Sequence, residues 1–395
     1  MKYNFDVVLH DSRLSRMKWE FELKKSADPD LLSFGTADMD FRSPQPILDA
    51  ISAIADVGHL GYPYISDHYY SSIENWLHRA TGWCVDVRSC AANNVGIYTA
   101  VWTILDAFTQ LGDEVIIQTP AHFCFTSMVK DNDRSLVENP LREVNGRYEM
   151  DFEQLERSFS NKTKLFWLCN PHNPVGRAWT KEELMKLAKI CLAHRVPILS
   201  DDVYCGLTYP GISYTPIASL SRDISQNTIT CYSTSKSYNT TGVKYSFCIT
   251  ENPELLKKYN KSLQKLDLTY GFNIIGIAIT EAAYEQCDDW LAELMGYVQS
   301  NMQKTEQFLK DEMPRVSISH ADSTYFAWMD VSCFHLPADD LVEMLKREAH
   351  ILVCSGAELG KGGEGHIRFN LACPASILEE GLKRFGQFYQ KHLHI

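Results

Sequence analysis

The sequence predicts an α/β fold, with a mostly parallel sheet between helices on both faces and a smaller α/β unit after it. Three observations carry that expectation. Between Asn93 and Thr250, short runs of β-branched and aromatic residues alternate with helical stretches, the pattern of βαβ units. His122, Asn173, Asp201, Tyr204 and Lys236 stand just beyond strand runs, and in open parallel sheets ligands sit outside that end of the strands. With 395 residues, 45% of them hydrophobic, the chain can also bury a sizeable core in two domains or subdomains.

Residues 1–45 read as an arm, with a short helix over Asp11 to Lys25. Phe34-Gly-Thr-Ala-Asp-Met-Asp-Phe41 follows, and its two acids read as a capped turn before a helix from Pro46 to Val57 rather than a metal or acid/base site. Gly61-Tyr-Pro-Tyr64 is an exposed turn carrying two aromatics. Asn93 to Thr99 leads into a helix ending near Gln110, so free N–H groups lie near Gly96, Ile97 and Tyr98, where a phosphate can bind. Strands are expected at Gly112 to Gln118, Lys164 to Leu168, Val196 to Leu199, Thr228 to Tyr232 and Tyr245 to Thr250. Thr180 and Glu183 form a capping-box pattern. Beyond Pro253 come amphipathic runs at Leu255 to Leu266 and Ile277 to Leu309. The smaller unit then has strands at Val316 to Ser319, Thr324 to Asp330 and His366 to Asn370, a helix at Ala338 to His350, and a last helix from Pro374 towards His392. Gly360-Lys-Gly-Gly-Glu-Gly365 lacks phosphate-loop spacing and reads as a mobile loop.

The net charge of −12 argues against nucleic acid or an anionic membrane surface as partner. No apolar run reaches the length of about 18 residues that would span a membrane, and Met1 to Arg16 lacks the apolar core of a signal peptide. The 12 cysteines are scattered without a C-x-x-C pair, as expected of reduced core thiols in a cytoplasmic protein, not of disulfides or a zinc site.

The chemistry centres on Ser233-Thr-Ser-Lys-Ser-Tyr-Asn239. A lysine at a strand end, buried near other charge, loses proton affinity and can attack a carbonyl. Ser233, Ser235 and Lys244 could hold a phosphate beside it.

Six motifs stand in order along the chain: Ala37-Asp-Met-Asp-Phe41, Gly61-Tyr62-Pro63, Asn170-Pro-His-Asn-Pro-Val-Gly176, Ser235-Lys-Ser-Tyr-Asn239, Ser323-Thr-Tyr-Phe-Ala-Trp328 and Arg368-Phe-Asn-Leu-Ala-Cys-Pro374. Together they resemble the fold-type I pyridoxal-phosphate enzymes of the class I/II aminotransferase superfamily, in their cystathionine β-lyase or C–S lyase branch. The resemblance implies a large cofactor-binding domain over residues 46–290 with a seven-stranded sheet. It implies a small C-terminal domain over 291–395, and an N-terminal arm over 1–45 that contributes to the small domain. It also implies that Lys236 holds pyridoxal 5'-phosphate covalently and then moves the substrate Cα proton. Asp201 would pair with the ring nitrogen, Asn173 and Tyr204 with the phenolic oxygen, and Gly96, Ile97, Tyr98, Ser233 and Lys244 with the phosphate. Tyr62 would arrive from the second subunit of a homodimer with shared sites. Arg368 would grip the carboxylate of an amino-acid substrate, with Ala37, Asn173 and Tyr62 beside it. Pocket walls are expected from the arm and from Tyr270 to Ile275.

Two positions depart from the family pattern. His122 stands where an aromatic ring usually stacks on the cofactor; an imidazole can stack, but it can also titrate near neutral pH, and Phe123 could stack instead. Tyr204 stands where the lyases mostly carry histidine and aminotransferases carry tyrosine. The expected reaction is β-elimination on an S-substituted L-cysteine, with transamination as the alternative. A non-catalytic regulatory protein on the same fold is a third reading, against which the joint presence of Lys236, Asp201 and Arg368 speaks.

Overall fold

A computed structural model describes residues 2–9, 13–268 and 273–393. The helix expected over Asp11 to Lys25 begins only at Met17, as a wide turn to Phe21 followed by a helix over Glu22–Ser26. Glu20 explains the late start: its carboxylate takes the Arg16 N–H at 2.7 Å and the Arg16 guanidinium at 2.8 Å. Asp11 and Ser12 lie outside the described residues. Of the two acids in the strip, Asp38 caps the Met39 N–H at 3.1 Å, whereas buried Asp40 pins the arm through Lys18 Nζ at 2.8 Å and Trp19 Nε1 at 2.6 Å. Helix α1 (Gln45–Val57) ends at Gly58, and α2 (Asp67–Thr81) starts from the Ser66 cap. The turn between them leaves Tyr62 92% exposed.

Among the described residues the central sheet has seven strands: β1 (Ala91–Asn94), β2 (Glu114–Thr119), β3 (Ser135–Pro140), β4 (Thr163–Cys169), β5 (Ile198–Asp201), β6 (Thr228–Tyr232) and β7 (Ser246–Ile249). Their order is β1–β7–β6–β5–β4–β2–β3. Strands β2 to β6 pair in parallel, and β7 runs antiparallel to both β1 and β6. The reversal follows from the link: residues 233–245 hold turns, without the helix a parallel crossover uses.

Alternation along β4 gives the sheet two buried faces. Leu165 and Trp167 pack with α3 (Ile97–Phe108), α4 (Phe123–Asp131) and Tyr259, whereas Phe166 and Leu168 pack against Leu184, Leu187 and Cys191 of α5 (Lys181–Ala193). The capping box opens α5, with Glu183 N–H on Thr180 Oγ1 at 3.2 Å and Thr180 N–H on Glu183 Oε2 at 2.8 Å. Tyr259 belongs to α6 (Pro253–Lys265), which lies beside α3.

The long run read over Ile277 to Leu309 is two helices, α7 (Ile274–Gln286) and α8 (Asp288–Glu312). Cys287, at φ −115° and ψ 13°, leaves the helical region and caps both. A four-stranded antiparallel sheet follows, ordered β8 (Ser317–Ile318), β9 (Phe326–Asp330), β11 (His366–Asn370), β10 (Cys354–Ser355). It packs with α9 (Ala338–Met344), which runs on as a wide turn over Leu345–Ala349, and α10 (Ala375–Leu393) packs against that turn and α8.

The loop Gly360 to Gly365, expected to be mobile, exposes Lys361, Gly362 and Glu364 but buries Gly363. Ala121 N–H donates to Leu359 O at 2.8 Å, and Lys361 N–H donates to Glu138 Oε1 at 3.1 Å. Backbone meets backbone so closely that a Cβ on Gly363 would fall 2.0 Å from Gly356 O. Thus glycine here serves close approach. Among the described residues no helix is long and apolar enough to cross a membrane.

Candidate active site

The carboxyl ends of β4, β5 and β6 and the strand β11 converge on one crevice. The turn after β4 presents Asn173, β5 ends at Asp201, and Lys236 follows β6. Arg368 reaches in from the middle of β11 and is 3% exposed. Its Nη1 donates to Asn173 Oδ1 at 3.1 Å and its Nη2 to Gly35 O at 2.9 Å, while Nε is buried and has no hydrogen-bond partner among the described residues. The guanidinium lies 4.3 Å from the centre of the Phe326 ring, which fixes its plane.

Lys236 Nζ donates to Ala37 O at 2.7 Å. Burial, with Arg368 and Lys244 nearby, lowers its pKa from 10.5 to about 8, against the opposing pull of Asp38 and Asp201. Asp201 is 4% exposed, and Val203 N–H at 3.4 Å is its side chain's hydrogen bond. Burial pushes its carboxyl up to about 7. Tyr204 is buried beside Tyr325 and Phe326, with Asn173 Nδ2 3.5 Å from its hydroxyl; desolvation pushes that phenol upward.

Gly96, at φ +115°, turns the chain into α3 in a conformation that favours glycine. A Cβ there would lie 3.9 Å from Lys244, so the α3 N-terminus and Lys244 are neighbours. Ile97 and Tyr98 form the first turn of that helix, and Ser233 Oγ donates to Tyr245 O at 2.7 Å, one residue from Lys244. His122 caps α4 with its ring 4.5 Å from that of Phe123. Burial, then Arg368 and Lys236, lower its pKa to about 3, so the imidazole is neutral across the physiological range. That favours stacking over titration at this position.

These residues fit pyridoxal phosphate. A buried carboxylate with one long hydrogen bond, an amine of depressed pKa and a cationic helix start supply what its ring nitrogen, aldehyde and phosphate require. Tyr62, on its exposed turn, stands open to solvent within its own chain. Of the expected pocket wall, Tyr270, Gly271 and Phe272 lie outside the described residues.

Sequence reasoning missed several groups here. His172 Nε2 bonds Pro120 O at 2.8 Å and ties the Asn170–Gly176 turn to the His122 turn. Cys124 Sγ donates to Tyr98 Oη at 2.8 Å. Asn370 lies two residues after Arg368 on β11, and strand periodicity alone places both on one face.

The sequence of cystathionine β-lyase from Bacillus subtilis is 36% identical over 96% of this chain and 98% of that protein. The protein MalY of Escherichia coli is 26% identical over 96% and 97%. Cystalysin from Treponema denticola, solved with a pyridoxal 5'-phosphate cofactor, superposes with a TM-score of 0.95 at 28% identity, covering 99% of this chain and 100% of its own. A PLP-bound putative aminotransferase from Clostridium difficile gives 0.93 at 34% identity, covering 97% and 99%. The model of the aminotransferase class I and II family matches residues 68–385. The fold, the crevice and this match agree: the chain belongs to the aminotransferase class I and II family.

Proposed function

We propose that the protein is a pyridoxal-phosphate-dependent carbon–sulfur β-lyase that converts an S-substituted L-cysteine, such as cystathionine, to a thiol, pyruvate and ammonia. The observation that carries this reading is the full-length 36% identity to a cystathionine β-lyase. The gathering of Lys236, Asp201 and Arg368 in one crevice supplies the means.

When bound, the cofactor supplies an electron sink for the electron pair left at the substrate Cα. Lys236 would anchor it, and as a free amine would take the Cα proton; a pKa near 8 leaves part of the amine neutral at physiological pH. Asp201 would hold the ring nitrogen protonated, and Asn173 and Tyr204 would bond the phenolic oxygen. Gly96, Ile97, Tyr98, Ser233 and Lys244 would hold the phosphate, and His122 would stack on the ring. Arg368 takes the substrate carboxylate in a two-pronged contact, its plane set by Phe326 and its position by Gly35 and Asn173. The Ala37 backbone walls the site.

The same reading makes the protein a homodimer with shared sites, Tyr62 of each copy completing the other's phosphate pocket. Val57, Leu60, Tyr62 and Tyr64 support it: they expose 78%, 71%, 92% and 81% of their surface along one stretch, an apolar patch suited to a second copy. Residues 46–290 then form the cofactor-binding domain, residues 291–395 the small domain and residues 1–45 an arm contributing to it.

The test is to mix the cofactor-loaded protein with L-cystathionine and, separately, an S-alkyl-L-cysteine, and to assay pyruvate and thiol with no keto acid added. Catalytic release of both products from either substrate is expected. Absence of product, with amino-group exchange to an added keto acid, would make the protein an aminotransferase and Tyr204 the better guide.

A further inference from the structure

We propose that Asn370 is a positioning residue that aims the Ala37 carbonyl at the Lys236 amine and thereby orients that amine for proton transfer at the substrate Cα. The proposal rests on the reading of Lys236 as the base. Asn370 is the last residue of β11 and is fully buried. Its Nδ2 donates to Thr36 O and to Asp38 O, each at 2.7 Å, and its Oδ1 accepts from Ala372 N–H at 2.8 Å. Asp38 N–H donates to Thr36 O at 2.9 Å, closing a three-residue turn with Ala37 at its centre.

Four successive carbonyls are therefore assigned in turn. Gly35 O takes Arg368 Nη2, Thr36 O and Asp38 O take Asn370, and Ala37 O takes Lys236 Nζ at 2.7 Å. One amide side chain holds the residues on both sides of Ala37, so the direction of the carbonyl between them is fixed. An amine that donates one N–H to a fixed acceptor loses rotational freedom about its Cε–Nζ bond, and its lone pair then points in a restricted direction.

A purely structural role, fastening the arm to the sheet, is already filled. Asn370 N–H bonds Phe34 O at 3.0 Å and Asp40 N–H bonds Ala372 O at 2.9 Å, so backbone pairs hold this segment on either side of the turn. What the side chain adds is the orientation of residues 36 to 38.

The test compares wild type with Asn370→Ser, which cannot hold both carbonyls. In the cofactor-free protein, the rate of pyridoxal phosphate uptake, followed by absorbance against pH, reports the ionisation of Lys236. A carbonyl acceptor favours the ammonium, so its loss should move the midpoint to lower pH. In the loaded enzyme kcat should fall roughly 10- to 100-fold while KM stays within about twofold, with a larger isotope effect on Cα-deuterated substrate. A wild-type midpoint and isotope effect in a folded Asn370→Ser protein would overturn the proposal. If that variant does not fold, Ala37→Gly, which frees the turn and removes only one half-buried methyl from the edge of the core, should move the midpoint the same way; an unmoved midpoint overturns the proposal there too. Lys236→Ala separates the two layers. Normal turnover in that variant sinks Lys236 as the base, and with it the proton-transfer half of the proposal, whereas the uptake midpoint still decides whether Asn370 positions the amine.

Discussion

Arg368 donates through Nη1 to Asn173 Oδ1 at 3.1 Å, across 195 residues of sequence, and so joins the C-terminal sheet to the turn after β4. On the proposed function, the bond makes the group meant for the substrate carboxylate and a group meant for the cofactor one unit. Replacing Arg368 by alanine should remove the carboxylate grip and strand Asn173 Oδ1. The expected loss in kcat/KM is roughly 2–5 kcal/mol, dominated by a higher KM. Arg368→Lys should recover little of it, because an ammonium cannot span Gly35, Asn173 and a substrate carboxylate together. Steady-state kinetics on both variants checks this, and wild-type KM in Arg368→Ala would place the carboxylate elsewhere.

Lys236 also weighs on stability. Its pKa is about 8 in the folded protein against 10.5 for a free lysine. The native state therefore binds fewer protons than the unfolded chain between those values, and stability rises with pH across that window. Below about pH 8 the buried ammonium costs stability in full. Lys236→Met should thus raise the Tm of the cofactor-free protein at pH 7, with the gain shrinking as pH climbs towards 10.5. Thermal melts of both proteins across pH 6–10 test the sign; a lower Tm in the variant at pH 7 would contradict it.

His122 supplies a sharper pH test. With its pKa lowered to about 3, the ring has no titration between pH 5 and 9 to contribute. His122→Tyr should keep the shape of the pH–rate profile and most of the turnover, because stacking needs only a flat ring. If the variant loses a limb of that profile near neutrality, His122 is an acid or base after all.

How far the sequence could be read depends on the range of the interactions. The gathering of Asp201 and Lys236 in one crevice was legible because Asp201 ends its strand and Lys236 follows closely on the next, where local pattern and fold class coincide. The Thr180–Glu183 capping box was legible for the same reason: its partners lie within one helical turn. The Asn370 bonds to Thr36 and Asp38 were not, since they span more than 330 residues and no local pattern reports them. The close backbone approach at Gly363 was not legible, because composition does not distinguish glycine that frees a backbone from glycine that admits another one. The state of His122 was left open for a related reason: its pKa is set by burial, Arg368 and Lys236, which the fold brings in from elsewhere.

The shared-site dimer can be tested without a structure of the assembly. Tyr62 is 92% exposed in the single chain, whereas Lys236 lies within the crevice of its own subunit. If Tyr62 serves the neighbouring site, Lys236→Ala and Tyr62→Ala homodimers each carry the same defect in both sites. A hybrid dimer instead concentrates both defects in one site and leaves the other intact. Unfolding and refolding an equal mixture should form hybrids in half of the dimers and restore roughly a quarter of the wild-type sites. Activity of the mixture should then exceed the sum of the two variants refolded apart. If Tyr62 served its own subunit, every hybrid site would retain one of the two defects, and the mixture would show no gain.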